Sequence, residues 1–270
     1  MCQELGVSRS GYYRYRQRAV SKRARENAQL NLLIKEIHLS SHARYGSPRI
    51  HAELQMRGIA CGKHRVARLM RAEGVRGKAS RRKRWNPFPH AEYPVGVDYV
   101  KRNFVVSAPN KVWVSDITYI ATTEGWVYLL VIVDLFSRKV VGYSLAADME
   151  GGRLIKAFEE AVQLRQPAQG LIFHSDRGMQ YVCHRFQACL ERYGALSSMS
   201  RKGNCFDNAV AESFFHTLKT ELIERNGYQT REEARRKIFE YIFIFYNNKR
   251  RHSYLNYMTP MEFEQKFGDA

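Results

Sequence analysis

The spacing of hydrophobic positions changes period along this chain. Over residues 30–75 the spacing is helical, with Leu30, Leu33, Ile34 and Ile37 forming one stripe. Tyr45-Gly46-Ser47-Pro48 interrupts it and predicts a second helix, with Ser47 as N-cap and Pro48 at the first helical position, running to about Arg57 before Gly58. Cys61-Gly62-Lys63 turns into a third helix, Lys63 to Glu73, with Val66, Leu69 and Met70 inward. Two short helices joined through a glycine-containing turn suit a helix-turn-helix. Ahead of them, Leu5 to Tyr13 reads as the turn and start of a recognition helix capped by Ser8. The first helix of that motif is absent, so the chain is expected to start mid-motif.

From Lys111 the period shifts to that of strands. Val112–Ile120, Trp126–Val133 and Lys139–Leu145 are rich in Val, Ile, Tyr and Trp, and short turns separate them, predicting three antiparallel strands. A helix over Gly152–Gln166, a strand over Leu171–His174, a helix over Arg185–Tyr193 and a short strand near Leu196–Met199 follow. A loop around Gly203 leads to a helix over Asn208–Glu224. The last helix, Arg231 to Asn248, is apolar on most faces and is expected to be buried. Trp113, Trp126 and the strand tyrosines are expected in the core.

Charge separates the same two halves. The 270 residues carry +18, of which residues 1–90 hold +16. A basic block joined to a nearly neutral one suggests a polyanion-binding module, with DNA or RNA as the polyanion. The outward face of the third helix carries Lys63, His64, Arg65, Arg68 and Arg71, suited to phosphates and a major groove. Arg76 to Arg84, including Arg81, Arg82, Lys83 and Arg84, is a basic run that continues into a proline-containing linker and can track a DNA backbone. Arg201 and Lys202 sit in a glycine loop suited to phosphate contacts. Five cysteines without a Cys-x-x-Cys argue for reduced thiols in a cytosolic protein. His38 and His42 lack the cysteine pair of a zinc site. The longest apolar run, Val127–Val133, is too short to span a bilayer.

Three carboxylates carry the candidate chemistry. Asp116 lies inside the first strand, where Asp is depleted and an unpaired buried charge is costly. Asp176 follows an apolar strand, at the carboxyl end where α/β sheets place ligand sites, although Gly178 also allows a plain turn. Glu212 shares a helix face with Asn208, His216 and Lys219. Gathered together, such groups hold hard divalent cations, and a pair of ions can clamp both oxygens of a phosphodiester. Asp134 reads as a turn or supporting residue, and Asp207 as an N-cap.

Trp113-Val114-Ser115-Asp116-Ile117-Thr118-Tyr119, Val133-Asp134-Leu135-Phe136-Ser137-Arg138, His174-Ser175-Asp176-Arg177-Gly178 and Asp207-Asn208-Ala209-Val210-Ala211-Glu212-Ser213 together resemble the DDE transposases and retroviral integrases. The closer likeness is to the insertion-sequence-three family, in particular its second-frame catalytic product. Tyr246-Asn247-Asn248, Arg251-His252 and Thr259-Pro260 resemble that family's C-terminal signature. The resemblance implies an α/β fold: an RNase H-like core, a mixed five-stranded sheet flanked by helices, preceded by an all-α helix-turn-helix region. It implies that Asp116, Asp176 and Glu212 are catalytic residues and metal ligands, with 35 residues between the last two. It implies two Mg2+ ions, Mn2+ substituting, and Lys219 as a contact for the DNA end. The expected partners are terminal repeats and target DNA, further copies of the chain on DNA, and an upstream-frame product or frameshift fusion. The expected place is the bacterial cytoplasm, on DNA.

The expected division is a helix-turn-helix remnant at 1–28, a helix-turn-helix-like DNA-binding domain at 29–78, a basic linker at 79–108 and the catalytic core at 109–265. The expected activity is DNA cleavage and strand transfer of an insertion sequence. Its rivals are an RNase H-like nuclease and a non-catalytic DNA-binding regulator.

Overall fold

The computed structural model describes residues 2, 4–17, 19–78, 97–148, 150–200, 208–223 and 228–268. The chain divides into two compact units, Met1–Lys78 and Ala79–Ala270.

The first unit is helical. α1 spans Arg9–Arg16, and Ser8 Oγ caps it by accepting from the Gly11 amide at 3.0 Å. α2 spans Lys22–Ser40 with Ser21 as its cap, starting two turns before the apolar stripe does and running unbroken through residues 28 and 29. α3 is Ser47–Met56 and α4 is Lys63–Ala72. The cap of α3 is Gly46, not the expected Ser47. Gly46 O already accepts the Ile50 amide at 3.1 Å, so Ser47 stands inside the first turn beside Pro48. Leu30, Ile34 and Ile37 of α2, Ile50 and Leu54 of α3, and Val66, Leu69 and Met70 of α4 are the buried faces of three helices that pack on one another. Gly58 turns α3 toward α4 with φ +75°, a conformation that strains any side chain.

The second unit is built on a mixed sheet. β1 (Val112–Thr122), β2 (Gly125–Asp134) and β3 (Val140–Ala146) form an antiparallel meander. β4 (Ile172–Ser175) pairs parallel with β1, and β5 (Leu196–Met199) parallel with β4, giving the order β3-β2-β1-β4-β5 among the described residues. β2 lies between β3 and β1 and is apolar on both faces, and Val131, Ile132 and Val133 are fully buried. α5 (Gly151–Arg165) crosses one face so closely that a Cβ on Gly142 would meet Ala157 O and Ala161 Cβ at 3.0 and 3.1 Å. α6 (Met179–Val182), absent from the hydrophobic pattern, and α7 (His184–Arg192) complete that layer. Trp113, Phe158, Phe173, Tyr181 and Phe186 fill the space between.

The other layer begins with α8 (Ala209–Glu221) and α9 (Arg231–Phe239). The expected continuous helix to Asn248 is not formed. After Phe239 the chain widens into a π-helical turn, Glu240–Tyr246, in which Tyr241, Ile242, Phe245 and Tyr246 all face inward. Asn247 then lies against the outer edge of β3, its amide accepting from Val140 N and donating to Val140 O, both at 3.0 Å. A side chain thus replaces a sixth strand. Arg250 reaches back to Glu221 at the end of α8. α10 (Pro260–Phe267), not anticipated, starts at a Thr259–Glu262 capping box. Among the described residues no helix is long and apolar enough to cross a membrane.

Candidate active site

Asp116 sits where β1 loses its neighbour. β4 pairs only with Val112, Trp113 and Val114, so among the described residues that edge of β1 has no strand beside it from Ser115 until Tyr228 bridges Thr122. α8 takes that place. Asn208, its N-cap residue, donates from Nδ2 to Ser115 O at 3.0 Å, and Lys219 donates to Thr118 Oγ1 at 2.6 Å. Asn208 holds the cap position expected of Asp207, which lies outside the described residues. Glu212 is one turn beyond Asn208 on α8 and faces solvent. Asp176 follows β4 in an exposed turn, closed by the Gly178 amide on Oδ1 at 2.9 Å. The turn that Gly178 predicted is therefore real, and it coexists with a place at the strand end. Arg177 Nε bonds Ser200 O at 2.9 Å and ties the turn to the end of β5.

Asp116 feels the charges of the other two carboxylates. Burial first, then the charge of Asp176, then that of Glu212 raise Asp116 from 3.8 to about 7. The Ile117 amide on Oδ1 and the Lys219 cation oppose the rise. Glu212 is itself raised by desolvation. A half-buried carboxylate facing two like charges is a site short of positive charge, which is what a hard dication supplies to oxygen donors. The donor chemistry fits such an ion. Among the described residues, however, no three His, Cys, Asp or Glu side chains are already drawn into one coordination shell. Asp176 and Glu212 both occupy exposed positions.

Beneath Asp116, the hydroxyls of Ser115 and Tyr181 are satisfied. Ser115 Oγ donates to Val131 O at 2.8 Å and pairs with Tyr181 Oη at 2.9 Å. Burial, followed by the charge of Asp116, lifts the Tyr181 phenol well above its ordinary value, so it stays protonated. Asp134 is fully buried. It accepts from the Asn110 and Phe136 amides and from Trp113 Nε1, and it has a structural place away from the carboxylate group. Trp113 is core, as expected. Tyr119 and Trp126 are not: they are 57% and 52% exposed and meet edge-on across the β1–β2 hairpin, with Lys219 Nζ over the Tyr119 ring at 5.6 Å. Period-2 alternation turns them to the solvent face of a sheet that is covered only farther along.

In the first unit, Lys63, His64, Arg68 and Arg71 are exposed on α4. Arg65 is half-buried and engaged by Asn27 Oδ1 at 2.9 Å and Glu26 at 3.3 Å. Arg81, Arg82, Lys83, Arg84, Arg201 and Lys202 lie outside the described residues.

A five-stranded mixed sheet with Asp116 within β1, Asp176 just past β4 and Glu212 on α8, in a chain that also folds a helix-turn-helix-like unit, defines an RNase H-like polynucleotidyl transferase. The integrase core domain family matches residues 106–205 and again 212–267, and an HTH-like domain matches residues 24–84. The chain is 39% identical to the transposase InsF for insertion sequence IS3A of Escherichia coli (strain K12), over 98% of this chain and 93% of that one. It is 42% identical to the insertion element IS600 uncharacterized 31 kDa protein of Shigella sonnei, over 99% and 98%. It is also 42% identical to the transposase for insertion sequence element IS904 of Lactococcus lactis, over 92% and 98%. In fold it resembles a chain of the simian T-cell lymphotropic virus intasome, with TM-score 0.50 and 14% identity over 88% of this chain and 74% of that one. The chain belongs to the IS3 family of insertion-sequence transposases, enzymes of DDE type that act on DNA.

Proposed function

We propose that Asp116, Asp176 and Glu212 are the catalytic carboxylates of this transposase and hold two Mg2+ ions, with Mn2+ able to substitute. The observation that carries the reading is the elevation of Asp116 to about 7 by burial and by the charges of the other two. Bound divalent ions supply polarisation of the phosphate oxygens and an acidified water. The chain's residues supply position. Asp116 is fixed by the strand, Asp176 by its turn and Glu212 by α8, so the scissile phosphate is aligned for in-line attack.

In cleavage, a water oxygen bonds to phosphorus and loses a proton to solvent, and the P–O3′ bond breaks as the leaving oxygen takes a proton from solvent to become a 3′-hydroxyl. In strand transfer, that hydroxyl loses its proton to solvent as its oxygen bonds to a target phosphorus, and the displaced 3′-oxygen of the target takes a proton from solvent. No protein–DNA bond forms. Lys219, fixed by Thr118 beside Asp116, contacts the DNA end and offsets charge developing on phosphate.

The proposed DNA contacts elsewhere are Lys63, Arg65, Arg68 and Arg71 on α4, together with Arg81, Arg82, Lys83, Arg84, Arg201 and Lys202. The proposed partners are terminal repeats, target DNA, further copies of this chain on DNA and an upstream-frame product. The proposed setting is the bacterial cytoplasm, and the proposed division is that at residues 28, 78 and 108.

The test is a metal titration of nicking and joining on a terminal-repeat duplex. Joined product that requires Mg2+ or Mn2+ and disappears in Asp176→Asn, with duplex binding retained, is expected. Nicking without joining would favour the nuclease, and binding with no metal-dependent chemistry the regulator.

A further inference from the structure

Asn208 is a buried amide that caps nothing. It stands at the N-cap of α8, where an Asn side chain ordinarily accepts an amide from the first turn, yet its side chain makes no such bond. Its Nδ2 instead reaches across to Ser115 O, the first carbonyl of β1 past the end of the β4 pairing. Its Oδ1 is buried with no partner, and the residue is 5% exposed. An orphaned acceptor in such a place is rare, because buried polar groups are otherwise satisfied.

We propose that Asn208 is a positioning residue for Glu212, acting by its tie from the start of α8 to β1. The proposal rests on the carboxylate reading above. Asp116 directly follows Ser115 in β1, and Glu212 follows Asn208 by four residues on one helix face, so Asn208 couples two neighbours of the two carboxylates. A helix start fixed at Ser115 O sets where the next turn, and with it the exposed Glu212, stands relative to β1. Farther along, the helix is fixed again by Lys219 on Thr118. Ser115 itself is held by Val131 O and Tyr181, so the anchor point cannot drift. Without the Asn208 tie, the carboxylate is no longer preorganised and the ion must order it.

The experiment measures the Mg2+ concentration at half-maximal thermal shift of the full chain without DNA, and strand transfer of a precut end at saturating Mg2+. Wild type, Asn208→Ala, Asn208→Gln and Glu212→Gln are compared. The expected result for Asn208→Ala is a metal-free melting point close to wild type, a half-saturation raised at least tenfold, and strand transfer reduced at limiting Mg2+ more than at saturating Mg2+. Asn208→Gln, which keeps the amide on a longer arm, is expected between the two and serves if the alanine variant fails to fold. Unchanged half-saturation in a folded Asn208 variant, beside a lost response in Glu212→Gln, would overturn this proposal alone. An unchanged response in Glu212→Gln would overturn both this proposal and the carboxylate reading.

Discussion

Replacing Glu221 by Gln should be among the most damaging single changes that keep side-chain shape. Glu221 and Arg250 are 4% and 5% exposed, so water solvates neither. The carboxylate accepts from Arg250 Nε at 2.9 Å, from Nη2 at 2.8 Å and from Tyr241 Oη at 2.9 Å. Burial works against the Arg250 charge, but the Glu221 contacts outweigh it and hold the guanidinium firmly protonated. Gln removes the negative charge and strands that cation in the interior. Breaking a buried pair on one side costs about 3–5 kcal/mol. For a unit of this size, at about 2–4 °C per kcal/mol, the melting point should fall by roughly 6–20 °C. Thermal and urea unfolding followed by circular dichroism read it directly. The double variant Glu221→Gln/Arg250→Met should recover most of the loss, because it leaves no unpaired charge in the interior. A single-variant cost below about 1 kcal/mol, or a double variant no better than the single, would refute the reasoning.

The carboxylate site should show the opposite sign. With its folded value near 7 against 3.8 unfolded, Asp116 weakens the metal-free protein as pH rises from about 4 to 7. Asp116→Asn should therefore be more stable than wild type in EDTA at pH 8, by up to about 4 kcal/mol, with the gap closing toward pH 4. Equal melting points at pH 8 would contradict this. Lys219→Ala should weaken binding to the terminal duplex and lower the salt slope of log K by about one; an unchanged slope removes it from the phosphate contacts. Glu264 accepts from Arg165 at 2.7 and 2.9 Å and from Lys139 at 2.8 Å. These partners hold its carboxyl low against the desolvation that pushes it up. Glu264→Ala should release α10 to early proteolysis at a cost of about 2 kcal/mol or more, and protection equal to wild type would show that this cluster is not the anchor.

Most of the fold was legible because the sheet writes itself as Val, Ile and aromatic runs between short turns. β1, β2 and β3 fall where alternation and turn residues put them, and α4 buries the three residues its spacing named. The misses have physical causes. α6 is a four-residue helix, shorter than any periodicity can show. The π-turn after Phe239 looks like ordinary helix in sequence, and the contact that follows it, Asn247 on Val140, is tertiary and joins residues far apart in the chain. Tyr119 and Trp126 look like core residues until the hairpin end of the sheet is seen to be uncovered. The same holds at the site. Asp116 stood out as an acid inside a strand, whereas the Asn208 amide on Ser115 O joins residues 93 positions apart and leaves no local trace. The C-terminal Tyr246-Asn247-Asn248 stretch is largely structural, through Asn247 on β3, and it continues to Arg250 on Glu221.

The most direct test of the account is strand transfer of a labelled terminal-repeat oligonucleotide with a free 3′-hydroxyl into plasmid DNA, with Mg2+, for wild type beside Glu212→Gln. The account predicts joined product from wild type and none from the variant, with equal binding of the oligonucleotide by both. Joining by Glu212→Gln at the wild-type rate would contradict it.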